Sequence, residues 1–88
     1  MHGPPTPRMG TKALHSAASL HLPPLLKALR EEAGLTQRQM GQRLGKPQSW
    51  VYNCEAANRR VDVTEFIAWV RTCGGDPSEA LGRLLNVL

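Results

Sequence analysis

The chain has 88 residues, 41% of them hydrophobic and 20% charged, which allows one small domain with a single core and no second domain. Eleven Lys and Arg against seven Asp and Glu give a net charge of +4 at pH 7, a balance that favours polyanionic partners. No apolar run approaches the length of a membrane span. We therefore expect no membrane contact and a cytoplasmic, nucleoid-associated location.

The first 21 residues differ in composition from the rest of the chain. Residues 1–12 are rich in Pro and Gly, carry no acidic residue and lack any helical or strand period. Such a segment cannot bury enough surface to offset the entropy of ordering it. Residues 13–21 are compatible with a short helix, and Met9 offers an alternative start of the protein. The sequence thus predicts a flexible N-terminal arm over residues 1–21 and a folded domain over residues 22–88.

The cysteines and histidines give no sign of a metal site. Cys54 and Cys73 are the only cysteines, and both fall at apolar positions of predicted helices, so we expect buried free thiols. The three histidines all lie in the arm and lack metal-ligand spacing. A Ser/His/Asp set, a carboxylate pair and a phosphate loop are also missing. The sequence therefore predicts no enzyme, no cofactor and no metal.

From residue 22 onward the apolar spacing predicts five helices and no strand. The first helix is expected over Pro24–Ala33, because Pro suits a first turn and Gly34 suits a helix end. The second is expected over Gln37–Leu44. There Thr36 and Gln39 have the spacing of a capping box, in which two residues satisfy each other's backbone N–H groups.

The remaining three helices are predicted from the same start and stop signals. The third is short, about Gln48–Ala56, and the fourth begins after Asp62, with Glu65 completing a second capping box. The fifth opens at Asp76-Pro77. Six side chains of the fourth helix are expected to point inward: Val63, Phe66, Ile67, Trp69, Val70 and Cys73.

Residues 37–55, QRQMGQRLGKPQSWVYNCE, combine two helices with a tight turn. Two helices that cross closely need a very small residue at the crossing, which Gly41 supplies, and Gly45 tolerates the positive φ of the turn. Four side chains have the spacing of a shared core: Met40, Leu44, Val51 and Cys54. The opposite side of the third helix then exposes short polar side chains at its N-terminal end, which suits the reading of base edges in a major groove.

The segment GLTQRQMGQRLGKPQSWVYNCE resembles the Cro/C1-type helix-turn-helix family, also called the xenobiotic-response-element family. The resemblance extends over residues 22–88. It implies an all-α, five-helix, lambda-repressor-like bundle of bacterial or phage origin. It also implies binding of double-stranded DNA and regulation of transcription, with a dimeric repressor on an inverted-repeat operator as the leading expectation.

The resemblance also implies roles for individual residues. Base contacts are expected from Gln48, Ser49, Tyr52 and Asn53. Phosphate contacts are expected from Gln37, Arg38, Lys46, Trp50, Arg59 and Arg60. Gln37 is further expected to brace Gln48. The stretch from Gly34 to Arg60 contains five basic residues and one acidic residue, a local charge of +4 that is consistent with these roles.

The chain departs from the family pattern around the third helix. Lys46 occupies a turn position that is usually apolar, and Pro47 replaces the usual side-chain cap. Asn53 is shorter than the side chains common at its position. Because Ala56-Ala57 replaces a pair that usually contains glycine, Asn58 is the expected left-handed residue at the helix end. These departures bear on base specificity more than on the fold.

The same residues also permit a different function. The polar face of the third helix, and the Arg59-Arg60 pair, are compatible with an ordinary solvated surface. Val51 and Cys54 already occupy the inward side of the third helix, so at least one of Trp50 and Tyr52 must be exposed. An exposed aromatic ring often marks a binding surface. A protein-interaction domain that docks through these aromatic rings is the competing hypothesis, and the basic stretch argues against it.

The fifth helix carries four leucines along one side: Leu81, Leu84, Leu85 and Leu88. These leucines either close the core of the domain or form a dimer interface, and we expect both. A homodimer is expected because one helix-turn-helix unit reads only a few base pairs. The sequence does not choose among phage repressors, restriction-modification controllers and antitoxins, so a toxin or other protein partner stays open.

Overall fold

Five helices make up the part of the chain that the structure describes. The structure is a computed structural model that describes residues 16–88, so residues 1–15 of the predicted arm lie outside the described residues. No strand occurs between residues 16 and 88, which confirms the predicted all-α architecture. The helices are α1 Ala17–Glu32, α2 Gln37–Leu44, α3 Gln48–Glu55, α4 Val63–Thr72 and α5 Pro77–Asn86.

The predicted starts of α2 and α4 are confirmed by their caps. The Thr36 side chain accepts a hydrogen bond from the Gln39 backbone N–H, and the Gln39 side chain accepts one from the Thr36 N–H. Asp62 and Glu65 form the same reciprocal arrangement at α4. Each box satisfies two of the N–H groups that a helix start leaves unpaired, so local sequence determines both boundaries.

The predicted start of the first helix at Pro24 is wrong. α1 begins at Ala17, because the Ser16 side chain accepts a hydrogen bond from a backbone N–H of the first turn. Pro23 and Pro24 lie inside the helix, where each lacks the N–H that the helical ladder uses. The leucines around them pack against the core, and this packing outweighs the missing bonds. Residues 17–21, predicted as arm, therefore belong to α1.

The end of α3 differs from the prediction at one residue. Ala57, and not Asn58, adopts the left-handed conformation, with a φ of +63°. The Asn58 N–H then donates to the Asn53 carbonyl at 2.9 Å, which is the closing bond of a Schellman motif. Ala56 is the C-cap of α3, and that motif places the positive φ at the next residue, which is Ala57. The chain adopts it there even though an alanine pays a steric cost.

The core lies between α1, α3 and α4 and also includes one residue of α2, one of α5 and one of the loop between α1 and α2. Trp69 is fully buried, as predicted, and its indole N–H donates to the Leu26 carbonyl at 3.0 Å. Val63, predicted to point inward, is instead 72% exposed. It shares a helix face with Val70 but lies about 10 Å further along the axis, beyond the edge of the core. The buried apolar residues are Leu26, Leu29, Leu35, Met40, Val51, Cys54, Trp69, Val70 and Ala80.

Candidate nucleic-acid interface

α2, a three-residue turn and α3 form one closely packed unit. The turn opens with Gly45 at a φ of +70°, and the Lys46 N–H donates to the Gly41 carbonyl at 2.8 Å. A Cβ atom on Gly41 would lie 2.6 Å from the Lys46 carbonyl oxygen, closer than real Cβ contacts. The roles predicted for both glycines are therefore confirmed, although Gly41 makes room for the turn itself as well as for α3.

α3 has an apolar inner side and a polar outer side. Val51 and Cys54 are fully buried on the inner side. Gln48 and Ser49 are exposed at the start of the helix, and Tyr52 is 54% exposed one turn later. Three of the four side chains predicted to contact bases thus lie on open surface, where a ligand can reach them.

Asn53, the fourth predicted base contact, is half-buried and already has a partner. Its Oδ1 atom accepts a hydrogen bond from the Asn58 amide at 3.2 Å. This bond orients the Asn53 amide and leaves its NH₂ group as the donor for other partners. At the other end of the helix Pro47 provides no side-chain cap, as predicted.

Exposed cations lie on α2, on the turn and on the loop after α3. Arg38, Lys46 and Arg60, three of the predicted phosphate contacts, are exposed, and so is Arg43. None of these four takes part in the salt bridges found between residues 16 and 88. Their charges are therefore available to an anionic ligand.

Trp50 is half-buried and Tyr52 is exposed, which confirms the prediction that at least one of the two rings is exposed. Its ring packs against Trp69 with 6.2 Å between the centroids. The Lys46 ammonium lies 5.3 Å from the centroid and the Arg59 guanidinium 4.9 Å from it, both within the range of cation–π attraction. Tyr52 is consequently the exposed aromatic residue of α3.

Arg59, a predicted phosphate contact, forms a partly exposed bidentate ion pair with Glu65 of α4. Its two terminal nitrogens lie 3.1 and 3.2 Å from the Glu65 carboxylate oxygens, and one of them lies 3.7 Å from the Cys54 sulfur. The Arg59 hydrogen bonds, helped by the Asp62 N–H, lower the pKa of Glu65. Burial raises the pKa of the Cys54 thiol. The Arg59 charge is therefore balanced by an ionised carboxylate at neutral pH.

A buried ion pair connects α1 to the end of α3. The Arg30 Nε atom lies 2.6 Å from one Glu55 oxygen, and the two side chains are only 9% and 4% exposed. This hydrogen bond raises the pKa of Arg30. Arg30 also donates to the Leu35 carbonyl at 2.7 Å, and the Gln37 amide donates to Glu55 at 3.1 Å. The partner of Gln37 is thus Glu55, where the resemblance implied Gln48.

Sequence reasoning missed Arg30 and the pairing role of Glu65. A signal for Arg30 was present, since it follows Leu26 by four residues and so shares the inward face of α1. A cation at such a position needs a buried anion. Glu65 was identified as a cap, and nothing in its spacing indicates that its carboxylate also holds Arg59.

These features define a class of protein. A compact helix-turn-helix unit with an exposed polar face and free cations beside it is a DNA-binding module. Residues 24–85 match the helix-turn-helix domain family. A solved structure, the XRE-family like protein from Pseudomonas syringae pv. tomato str. DC3000, shares 42% identity over 89% of this chain and 95% of that chain, with a TM-score of 0.77. No curated protein sequence matches.

The chain belongs to the XRE, or Cro/C1-type, helix-turn-helix family and is a DNA-binding transcriptional regulator. None of the helices between residues 16 and 88 is long and apolar enough to cross a membrane. In the same part of the chain, no three His, Cys, Asp or Glu side chains are grouped as a metal site requires. Both thiols are free, with Cys54 buried as predicted and Cys73 half-buried.

Proposed function

We propose that this protein is a dimeric transcriptional repressor that binds an inverted-repeat operator. The observation that carries the proposal is the outer face of α3, where Gln48, Ser49 and Tyr52 are exposed beside cations without salt-bridge partners. In a helix-turn-helix protein the N-terminal part of the second helix enters the major groove and contacts base edges. The family and the geometry both support this placement.

Within this proposal the side chains divide into two groups. Gln48, Ser49, Tyr52 and Asn53 contact base edges, and the NH₂ group that Asn58 leaves available on Asn53 would donate to a base acceptor. The positioning contacts to phosphates come from Gln37, Arg38, Lys46, Trp50 and Arg60.

Gln48→Ala is expected to weaken binding to the preferred site by about 1–3 kcal/mol and to relax the preference at one base pair. Gln48 is the first residue of α3 and is exposed, so its loss removes the base contact without disturbing the core. The measurement is a selection of bound sequences from random duplexes, followed by titration of the selected site with wild type and variant.

Gln42→Ala is the matched control for this experiment. Gln42 is an exposed glutamine of α2 outside the predicted contact set, and its replacement should leave both affinity and base preference as in wild type. An unchanged preference in Gln48→Ala would remove Gln48 from the base contacts. A wild type that selects no sequence at all would contradict the sequence-specific repressor.

The proposed dimer interface is the outer face of α5. Leu81, Leu85 and Leu88 are 46%, 59% and 55% exposed. Leu81 and Leu85 lie one turn apart on one side of α5, whereas Leu88, predicted to lie on the same helix, follows its last residue, Asn86. Leu84 is half-buried. Three of the four leucines are therefore exposed enough to meet a second copy.

Leu85→Glu is expected to convert the dimer to a monomer without unfolding it. Because Leu85 is exposed in the single chain, a carboxylate there costs little until a second apolar face covers it. Sedimentation should show the monomer mass, with cooperative thermal unfolding retained. Binding to a full inverted repeat should fall much further than binding to a half-site, since two linked recognition helices lie about 34 Å apart.

Asn86→Glu adds the same charge to α5 outside the leucine face and should remain dimeric. Gln48→Ala should remain dimeric as well. The wild type should be tested at tens of micromolar, which is roughly the range of weak dimers. If it stays monomeric there and also on DNA, this interface is wrong.

A further inference from the structure

Arg59 connects three parts of the protein. Its guanidinium forms two hydrogen bonds with Glu65 of α4, contacts the buried Cys54 sulfur, and stacks 4.9 Å from the centre of the Trp50 ring. Cys54 and Trp50 lie on α3. The loop residue therefore joins the recognition helix to the start of the next helix.

Trp50 lies in the first turn of α3, beside the residues that start the helix. Its ring contacts the Lys46 and Arg59 cations and also packs against Trp69, which is fully buried and whose indole N–H donates to the Leu26 carbonyl. Trp50 is the third residue of α3, directly after Gln48 and Ser49. The contacts of the Trp50 ring therefore anchor the helical turn that also carries these two side chains.

The positive charge of Arg59 is already paired with the Glu65 carboxylate. Glu65 accepts both Arg59 hydrogen bonds, and one of its oxygens also accepts the Asp62 N–H in the capping box of α4. The carboxylate is thus fixed by the helix start, and it holds the guanidinium over Trp50. Arg60, the next residue, is exposed and takes part in no salt bridge between residues 16 and 88.

We propose that Arg59 is a positioning residue that clamps Trp50 and so fixes the orientation of the recognition helix, and that it is not a phosphate contact. The proposal rests on the proposed use of α3 in DNA binding. Glu65 is the second half of the clamp, because it sets the position of the Arg59 guanidinium.

Glu65→Gln distinguishes a clamp from a phosphate contact by the direction of its effect. Glutamine still completes a capping box, so α4 keeps its start while the ion pair is lost. If Arg59 is a clamp, operator binding should weaken by about 3- to 10-fold, the range expected for a partly exposed bidentate pair. If Arg59 instead binds phosphate, removing the competing negative charge should make binding tighter, and tighter binding would overturn the proposal.

The salt dependence of binding gives a second test. Each true phosphate contact contributes about 0.9 to the slope of log K against log salt concentration. Arg60→Gln should flatten the slope by about that amount, whereas Arg59→Gln should weaken binding at every salt concentration and leave the slope unchanged. A slope flattened equally in both variants, or wild-type affinity in Arg59→Gln, would overturn the clamp.

The free protein provides a readout that does not depend on DNA. Acrylamide quenching of tryptophan fluorescence should increase in Arg59→Gln and Glu65→Gln, because the Trp50 ring loses its cover. Trp50→Phe reports the remaining signal of buried Trp69 and allows its subtraction. Arg59→Lys, which keeps a cation for the ring, should recover part of the protection. Unchanged quenching overturns the clamp, whether or not the wild type binds DNA, whereas failure of wild-type DNA binding with increased quenching rejects only the proposed function.

Discussion

Glu55→Ala is expected to lower the free energy of unfolding by about 3–5 kcal/mol, which is the usual cost of leaving a buried charge without its partner. Arg30, on the other side of the pair, is 7% exposed and cannot turn to water. The variant also removes the acceptor of the Gln37 amide. A domain of this size has a total stability of roughly 5–15 kcal/mol, so the loss is a large part of it. Urea denaturation followed by circular dichroism measures the change.

Two further variants separate the charge from the packing. Glu55→Gln keeps the shape and one acceptor oxygen, and it should lose less than Glu55→Ala. The double variant Arg30→Met with Glu55→Met removes both charges together and should recover much of the loss, because an apolar pair of similar volume is often as stable as a buried ion pair. If Glu55→Ala loses less than about 1 kcal/mol, the pair is screened as a surface pair would be.

The sequence predicts well those parts of the fold that depend on near neighbours. Thr36 with Gln39, and Asp62 with Glu65, determine their helix starts through bonds three residues apart. Gly41 was also predictable, because the requirement for a small residue at a helix crossing comes from sterics alone. The Gly41 carbonyl accepts a hydrogen bond from the Lys46 N–H, and the two residues are only five positions apart, so this contact too is local.

Features that depend on distant partners were not predictable to the same extent. Arg30 and Glu55 are 25 residues apart, and their bond exists only after α1 packs against α3. Arg59 looked like a free loop cation because its hydrogen bonds to Glu65 depend on how the loop folds back on α4. Helix α1 extends past its own prolines because leucine packing, a tertiary effect, compensates for their missing N–H groups.

The outer face of α3 was predicted correctly as an exposed surface for a related reason. Once Val51 and Cys54 are assigned to the core, helical geometry places Gln48, Ser49 and Tyr52 outside. Periodicity did not resolve Trp50, because an amphipathic position at the edge of the core accepts either a buried or an open ring. In the structure the Trp50 ring is half-buried because it packs against Trp69 and against the Lys46 and Arg59 cations.

Gly41→Ala is expected to destabilise the domain by about 1–3 kcal/mol, the usual cost of adding a group to a fully packed site. The new Cβ would lie 2.6 Å from the Lys46 carbonyl oxygen and 3.4 Å from the Gln48 nitrogen. Both neighbours are backbone atoms and cannot rotate away. The turn must therefore move, and the start of α3 must move with it, so sequence-specific DNA binding should fall further than stability alone explains.

Gly82→Ala is the matched control, because the two substitutions differ in space alone. Gly82 lies within α5, and a methyl group added there would extend into open space. Alanine is a better helix former than glycine by roughly 1 kcal/mol, so Gly82→Ala should raise the urea midpoint. Gly41→Ala gains the same helix propensity. It lowers the urea midpoint only if the collision of the new Cβ with the turn costs more free energy than this gain. A raised midpoint in both variants would mean that the turn can shift at little cost, and that the close approach at Gly41 does not hold α3 in place.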